Sequence, residues 1–477
     1  MTTLTIAWIA LPLMAGLMAY LLPRLARGLV IGVAIVSIAY GLTLILLQTS
    51  FPINLLDSYG VTLMADPLSG FFILTNGLVT AAVMLYCWGS DRSAFFFSQL
   101  CILHGSVNSA FLCADFISLY VALEVISIAV FLLIAYPRSN RSIWVGLRYL
   151  FVSNTVMLFY LIGAVLVYQA NLSFAFSGLA QASPDAQALI LLGLLTKGGV
   201  FVSGLWLPLT HSEAEVPVSA ILSGVAIKAG IFPLVRCALM IDSIDPVVRL
   251  FGLGTVFLGI SFALFEKDVK RIFAFSTISQ MGFVLAAPPL AGFYALGHGL
   301  AKSALFLTAG SLPSRNLDDL RQTPMATPAW AAISMGGLSL AGMPLLIGFA
   351  AKTLTLKSLL PWQVIGMNTA AIGSVIVFAR LICLPHQPQS EKKLAPGFWP
   401  AIGLLGVALI AANVFSIETY SLATMGKALG IIALGWLVYF GMIRRVTLLL
   451  PRTLELFEQL IGFMSLVLIG LFWLALA

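Results

Sequence analysis

The most regular feature of this chain is a succession of long apolar segments separated by short polar ones. About sixteen of them approach the roughly 20 residues that a helix needs to cross a bilayer. They begin near residues 4, 28, 67, 94, 114, 144, 187, 215, 247, 271, 290, 327, 362, 398, 424 and 456. The pattern predicts an all-α polytopic membrane protein, and the short connections leave no room for a soluble domain between the helices.

The basic residues test the number and direction of these segments, because Lys and Arg accumulate on the cytoplasmic side of membrane proteins. Most of them follow odd-numbered segments: Arg24, Arg27, Arg92, Arg138, Arg141, Arg148, Lys267, Lys270, Arg271, Arg315, Arg321, Lys392, Lys393, Arg444, Arg445 and Arg452. Those that follow even-numbered segments are Arg236, Arg249, Lys357 and Lys427. The alternation predicts a bacterial-type inner membrane, or a thylakoid membrane, with the N-terminus on the outer or lumenal side.

Composition supports this class and narrows the possible chemistry. The 477 residues are 60% apolar and 9% charged, which excludes a soluble globule, and the net charge of +7 reports topology rather than nucleic-acid binding. The start, MTTLTIAWIA, lacks a basic region, so we expect a retained span rather than a cleaved signal. The five cysteines lack metal or redox spacing, and we expect no cofactor, no metal and no catalytic site in this chain. The longer polar connections, 51–67, 171–187 and 387–393, are predicted linkers.

Ionisable side chains inside the apolar segments are the strongest functional signal. They are Glu124, Lys197, Lys228, His298, Lys302 and Lys352. Each buried lysine or carboxylate costs about 2.5 to 3.5 kcal/mol on insertion scales, so we expect these residues to have a function. Lys197 is followed closely by residues that favour a helix break at membrane depth: Gly198, Gly199, Gly204 and Pro208. Broken helices of this kind mark ion or substrate paths.

A proton relay is the function that this set favours. A desolvated lysine releases its proton more readily and a nearby carboxylate opposes the release, so Glu124 is the predicted modulator. His298 precedes Lys302 by four residues and shares its helical face. The turn before Pro217, predicted to emerge from the bilayer, offers three candidates for proton uptake: His211, Glu213 and Glu215.

Each of these residues also has a simpler interpretation. Lys302 and Lys352 could extend their stems to the membrane surface. Glu124 could form a purely structural ion pair with a lysine. His104, in the fourth segment, is predicted to be a hydrogen-bonded core histidine rather than a relay member.

Six motifs then occur in order between about residues 60 and 385. They are Trp206-Leu207-Pro208 with His211; Ser219-Ala220 with Leu222, Gly224, Lys228 and Gly230; Asp268-Val269-Lys270-Arg271; Ser279-Gln280-Met281-Gly282; His298 with Lys302 and LFLTAG; and Ala341-Gly342 with Pro344, Gly348-Phe349 and Lys352. Together they resemble the antiporter-like membrane subunits of respiratory complex I and the D-type subunits of multisubunit (Mrp) cation/proton antiporters.

The resemblance implies a core of about fourteen helices with two inverted five-helix repeats, each containing a broken helix that bears a lysine. Lys197 and Lys352 would be these lysines, Glu124 the fifth-helix glutamate and Lys228 the eighth-helix lysine. The implied divisions are N-terminal helices at 1–93, repeats at 94–240 and 241–385, and C-terminal helices at 386–477.

This chain departs from the family pattern in two places. Gly204 stands where many members have histidine, and Leu209 and Thr210 stand where they have aspartate and alanine, so Glu213 and Glu215 are predicted replacement acids. Two apolar runs, 425–440 and 460–476, extend past the implied core and are expected to pack laterally or to dock partners.

Three functions remain open from the sequence. We expect a proton-translocating subunit of a multisubunit cation/proton antiporter, with other membrane subunits as partners and protons and possibly Na+ as the transported ions. The alternatives are a proton-pumping subunit of a complex I-type oxidoreductase, with the electron chemistry on other chains, and a stand-alone secondary transporter with a midplane site. An intramembrane enzyme is disfavoured, because the four histidines are far apart and no HExxH motif occurs.

Overall fold

A computed structural model of the chain describes residues 2–55, 60–388, 392–446, 448 and 450–476. Helices dominate these residues, as the apolar pattern predicts. The α-helices are α1 (Thr2–Leu21), α2 (Ala26–Leu46), α3 (Pro67–Cys87), α4 (Ala94–Ala110), α5 (Phe116–Ile134), α6 (Asn140–Asn171), α7 (Pro184–Lys197), α8 (Leu207–Glu213), α9 (Val216–Ile221), α10 (Lys228–Met240), α11 (Ile244–Phe265), α12 (Val269–Ala286), α13 (Ala291–Ala309), α14 (Leu317–Leu320), α15 (Thr327–Ala341), α16 (Ile347–Lys357), α17 (Val364–Ile382), α18 (Phe398–Ala411), α19 (Leu422–Gly441) and α20 (Phe457–Leu476).

The sixteen predicted segments all correspond to helices, and their starts agree within about four residues. By length and composition, 11 helices of the described chain can cross a membrane, and two bent pairs bring the number to 13. One pair, α12 and α13, bends by 111°, so the chain turns back and these two helices count as separate spans. The remaining segments, α4 and the pair α15–α16, consist of helices of 17, 15 and 11 residues.

Polar residues at the segment boundaries fix where many helices begin. Asp66 accepts a hydrogen bond from Ser69 N at 2.9 Å, and Pro67 occupies the first helical position of α3. Asp115 accepts from Ser118 N at 2.7 Å at the start of α5. Each cap satisfies a backbone N–H that the first helical turn leaves free. The long apolar runs are thus divided into helices by local chemistry.

Two of the spans are broken near a glycine. After α7 the chain passes through Gly199, at φ +63°, and a 3-10 turn at Phe201–Gly204 before α8 begins. Between α15 and α16 it passes through Gly342, at φ +93°. A positive φ is costly for residues with a Cβ, so glycine permits both interruptions. The predicted breaks beside Lys197 and Lys352 are therefore present.

A third irregularity, not predicted, is a π-helical segment at Leu222–Ala226 between α9 and α10. It continues the span across Val216–Met240 and ends just before Lys228. π-Helical turns are rare and are often found at functional positions.

The connection at 51–67 is more ordered than a linker. Strands β1 (Phe51–Asn54) and β2 (Thr62–Ala65) pair antiparallel, and residues 56–59 between them lie outside the described part of the chain. Met64 N donates to Leu112 O at 2.7 Å, and Ala114 N donates to Thr62 O at 2.8 Å. The hairpin is thereby fastened to the turn between α4 and α5. A second, parallel pair joins β3 (Met325–Ala326) to β4 (His386–Gln387).

Contacts between charged side chains group the loops by end of the bundle. At one end they connect loops that follow odd-numbered segments: Arg92–Glu215 (2.9 Å), Arg141–Glu213 (3.3 Å), Arg315–Asp268 (2.7 Å), Arg452–Glu266 (3.4 Å) and Arg271–Glu455. Arg236 pairs with Asp66, and Arg249 with Asp245, in loops of the other end. The alternation of basic residues along the sequence thus corresponds to two ends of one bundle.

The two C-terminal helices pack laterally on the bundle. Helix α19 packs against α17, and α20 lies against α7 and the 3-10 turn that follows it. Both are largely exposed on their remaining faces, as lipid-facing helices are. The expectation of lateral packing beyond the core is confirmed.

Candidate functional site

Glu124 and Lys197 form the first part of the site. Glu124 lies on α5, and its Oε1 is 3.9 Å from the Nζ of Lys197, the last residue of α7. The lysine side chain is 7% exposed and the glutamate side chain 23% exposed. An ammonium and a carboxylate at this separation attract each other strongly where water is scarce. The two residues that the sequence singled out as a coupled pair are therefore neighbours.

Two serines complete the surroundings of the Lys197 ammonium. Lys197 Nζ donates to the hydroxyl oxygens of Ser127 on α5 and Ser153 on α6, which lie 3.0 Å from each other. It also reaches Leu123 O at 3.4 Å. The sequence analysis did not identify these serines. The available signal is that Ser127 follows Glu124 by three residues and so shares its helical face.

His211 lies inside the bundle, which corrects the prediction that places it at the membrane surface. It is 1% exposed and lines a cavity of about 20 Å³ together with Lys197, Tyr149 and Trp206. Such a volume holds about one water molecule. Neither ring nitrogen of His211 has a hydrogen-bond partner among the described residues. The fold packs this part of α8 inward because the 3-10 turn reverses the chain after α7.

Glu213 and Glu215 occupy the end of the bundle that carries most basic residues. Both are partly exposed and paired, Glu213 with Arg141 and Glu215 with Arg92. Between them, Ala214 O accepts a hydrogen bond at 2.5 Å from the buried Lys270. The turn is thus a charged surface from which only His211 extends inward toward Lys197.

Lys228 and His298 form a second pair at the centre of the bundle. Lys228 Nζ lies 3.1 Å from His298 Nδ1, and it donates to Gly224 O and, at 3.4 Å, to Ser223 O. Both accepting carbonyls belong to the π-helical segment before Lys228. The wider turn therefore supplies acceptors for an ammonium that no carboxylate neutralises among the described residues.

Lys302 is held differently from the arrangement that the sequence suggests. It shares a helical face with His298, but its Nζ donates to Phe273 O at 2.9 Å. The ammonium lies 5.4 Å from the centre of the Phe378 ring and 5.9 Å from that of Phe273. Cation–π contacts of this kind stabilise a buried ammonium without a counter-ion. The side chain is fully buried, which disagrees with a lysine that extends to the membrane surface.

A short polar network lies one helical turn from His298. Tyr294 Oη donates to Gln280 Oε1 at 2.7 Å, and Gln280 Nε2 is 3.4 Å from Ser374 Oγ. Tyr294, His298 and Lys302 follow one another at intervals of four residues along α13. The sequence analysis noted Gln280 only as part of a motif and did not identify Tyr294, because tyrosine in an apolar helix is usually a core residue.

Lys352 stands apart from the other lysines. It is 5% exposed, and its Nζ has no hydrogen-bond partner among the described residues. Its one charge-related contact there is the face of Phe283, at 5.0 Å from the ring centre. Burial of the whole side chain contradicts the alternative in which Lys352 reaches the membrane surface.

His104 belongs to a separate and saturated network. Its Nε2 contacts Ser37 Oγ at 2.8 Å and Asn108 Nδ2 at 3.1 Å, and its Nδ1 contacts Thr80 Oγ1 at 2.9 Å. A histidine with both nitrogens occupied matches the predicted core role. Within the described ranges, no three His, Cys, Asp or Glu side chains come close enough to hold a metal ion.

The helices that carry these groups pack against one another in sequence. Helix α7 contacts α10, the π-helical segment contacts α13, and α13 contacts α16. The arrangement connects Glu124 and Lys197, through Lys228, His298 and Lys302, to Lys352. A continuous series of packed helices thus joins the two breaks, with ionisable side chains at intervals along it.

Comparison with known proteins places this architecture. Residues 113–377 match the family described as "NADH:quinone oxidoreductase/Mrp antiporter, TM". The chain is 26% identical over 369 residues to the D-type subunit of a Na(+)/H(+) antiporter of Alkalihalophilus pseudofirmus, covering 70% of this chain and 75% of that protein. It is 28% identical over 319 residues to an NAD(P)H-quinone oxidoreductase chain 4 of a Synechococcus species, covering 60% of each.

The fold is also that of a solved structure. The Mrp complex from Dietzia sp. contains a chain that superposes with a TM-score of 0.79 at 22% identity. The superposition covers 98% of this chain and 59% of that one. Together with the apolar helices, these matches identify a multi-pass integral membrane protein.

Proposed function

The chain belongs to the NADH:quinone oxidoreductase/Mrp antiporter transmembrane family, and we propose that it is the proton-translocating subunit of a multisubunit cation/proton antiporter. One observation carries the proposal. Six ionisable side chains, Glu124, Lys197, Lys228, His298, Lys302 and Lys352, lie on consecutively packed helices between two broken spans. Buried cations without a structural need for charge are typical of ion paths.

The relay works by changing how well each ammonium is compensated. Burial penalises the charged form of a lysine, and a neighbouring carboxylate restores it, so separation of Glu124 from Lys197 would release a proton from the lysine. A proton that arrives on the Lys228–His298 pair repels those on nearby lysines, and the titrations are therefore coupled. Protons thus advance between stations in response to charge at the neighbouring station.

Proton uptake is assigned to the turn at His211, Glu213 and Glu215. Glu213 and Glu215 gather protons at the charged surface, and His211 transfers them to the cavity beside Lys197. The cavity of about 20 Å³ accommodates the water needed for this transfer. The chain-specific residues Leu209 and Thr210 leave the task to these downstream acids.

The antiporter assignment is favoured over a quinone-reducing complex by the extent of the alignments. The antiporter protein is matched over 75% of its length and the oxidoreductase chain over 60%. In either assembly the partners are other membrane subunits, and Na+ is the proposed exchanged cation. The proposed inverted repeats are residues 94–240 and 241–385.

Membrane vesicles containing the complete complex test this function. Addition of Na+ should dissipate a preformed proton gradient, followed by dye dequenching, and Lys228→Met should remove the response at matched expression. Quinone reduction by the co-purified subunits, with no response to Na+, would support the alternative complex. Transport by the purified chain alone would support a stand-alone transporter.

The proposed orientation has the arginine-rich end of the bundle in the cytoplasm. In a background without the native cysteines, single cysteines at Arg138 and Arg315 should resist an impermeant thiol reagent added outside. A cysteine at Asp245, in a loop of the opposite end, provides the reactive control. Labelling of Arg138→Cys and Arg315→Cys, with protection of Asp245→Cys, would reverse the orientation.

A further inference from the structure

A cavity of about 100 Å³ lies between the second broken span and helix α19. Lys352, Thr353 and Lys357 of α16 line one side, and Thr424 and Lys427 of α19 line the other. The volume is several times that required by one water molecule. It is large enough to take a phosphate-sized group beside the end of a lysine side chain.

The lining carries positive charge without compensation. It contains Lys352, Lys357 and Lys427 but no carboxylate. Among the described residues, none of these lysines forms an ion pair or a hydrogen bond with another side chain. Lys352 is 5% exposed and unpartnered at the inner end of the cavity, whereas the other two lysines are exposed. The site is therefore built for an anion that enters from the surface.

The cavity opens on a lipid-facing part of the molecule. Further along α19, Gly435 packs closely on Val375, and Tyr439 is buried against Ile376 and Ala379 of α17. The stretch from Thr424 to Ile431 instead borders the cavity, and the outer faces of α19 are exposed. The seam between α17 and α19 is thus closed near the end of α19 and widens near its beginning. Most of the remaining lining is apolar, including Leu356, Ala371 and Ile431.

We propose that this cavity binds the anionic headgroup of a phospholipid from the leaflet at the α16 C-terminus. Lys357 and Lys427 attract the phosphate from the membrane surface, and Lys352 compensates it from within the bundle. The apolar lining accommodates the first part of an acyl chain, which a free phosphate lacks. Electrostatics and apolar contact at one site favour an amphiphile over a soluble anion.

The full-length chain, delipidated in detergent, tests binding by native mass spectrometry. Phosphatidylglycerol should bind in preference to phosphatidylcholine of the same acyl composition. A basic residue near the membrane surface contributes about 1 kcal/mol, so Lys427→Gln should weaken phosphatidylglycerol binding by about fivefold and the double variant with Lys357→Gln by about 25-fold. The matched control, Lys392→Gln with Lys393→Gln, removes the same charge from another loop and should leave binding unchanged.

A steric variant tests the position independently of charge. Ala428→Trp would fill the cavity and should abolish the selective binding, whereas Ala433→Trp, at an exposed position of the same helix, should not. Equal binding of the two lipids, or equal effects of the two tryptophan variants, would overturn the proposal. Inorganic phosphate that displaces phosphatidylglycerol at comparable concentration would also overturn it, because the site would then not require an acyl chain.

A consequence for transport rests on the proposed function, whereas the binding assay does not. A phosphate beside Lys352 would take the position that Glu124 has beside Lys197. Proton transport should then depend on phosphatidylglycerol in the vesicles, and Ala428→Trp should remove this dependence. Selective lipid binding without any effect on transport would retain the site and contradict only its link to the relay.

Discussion

Lys197 and Lys352 lie at equivalent breaks of two spans but have very different surroundings. Lys197 has Glu124 at 3.9 Å and bonds two serine hydroxyls. Lys352 contacts an aromatic face and borders a cavity that contains no acid among its lining residues. The backbone devices are alike, since a glycine with positive φ follows Lys197 and precedes Lys352. One half of the molecule thus compensates its lysine with its own side chains, and the other leaves compensation to water or a bound group.

This difference assigns different tasks to the two halves. A lysine with an internal carboxylate changes its proton affinity when the carboxylate moves, so the first half is suited to control. A lysine without a partner changes its proton affinity when its cavity is hydrated or occupied, so the second half is suited to exchange with the surroundings. We infer that the direction of proton movement depends on this asymmetry.

The largest effect is expected at the carboxylate of the first half. Glu124→Gln should abolish proton transport and leave the complex assembled, because the amide preserves the shape and removes only the charge that tunes Lys197. Gradient dissipation in vesicles measures transport, and a native gel measures assembly.

Glu418→Gln is the matched control for this substitution. Glu418 is exposed and forms no ion pair among the described residues, so its variant should retain transport. Disassembly of the complex in Glu124→Gln would instead identify a purely structural ion pair.

The next effect concerns the uncompensated lysine. Lys352→Arg should be nearly as damaging as Lys352→Ala, because a guanidinium stays protonated and cannot pass on its proton. Dye quenching at matched expression decides the matter. Near-normal transport in the arginine variant would remove Lys352 from the proton path and restrict the comparison to structure.

Much of this comparison could be predicted from the sequence. The breaks followed from glycine and proline near Lys197 and Lys352, and the Glu124–Lys197 pair followed from the family resemblance and the cost of buried charge. Such features are local or energetically expensive, so they leave a clear mark on the residues.

Other features could not be predicted, because they depend on contacts distant in sequence. Ser127 and Ser153 bond Lys197 from two different helices, and serine is common in apolar helices. The inward position of His211 results from the path of the 3-10 turn after α7. The π-helical carbonyls that hold Lys228 have no residue signature. The cavity beside Lys352 exists because α19 packs on α17 at one end only.

A smaller effect tests the hydroxyl partners of the first half. Ser153→Ala should slow transport by about threefold to tenfold, since it removes one of several hydrogen bonds to the ammonium, each worth about 1 kcal/mol or more. Ser339→Ala is the control from the second half, where the buried hydroxyl has no hydrogen-bond partner among the described residues. Equal rates for the two variants would show that the serines do not position Lys197.

The smallest effect concerns the backbone of the second break. Gly342 has φ +93°, and an added Cβ would lie 3.3 Å from Lys352 Cδ, so Gly342→Ala should destabilise the protein by about 1 kcal/mol. Gly32→Ala is the control: no atom lies within 4 Å of its added Cβ, and alanine favours the helix, so stability should be unchanged or higher. Thermal unfolding in detergent, followed by tryptophan fluorescence, compares the two. An unchanged transition in Gly342→Ala would show that the break tolerates a right-handed backbone, and the resemblance between the two breaks would then be limited to the position of the lysine.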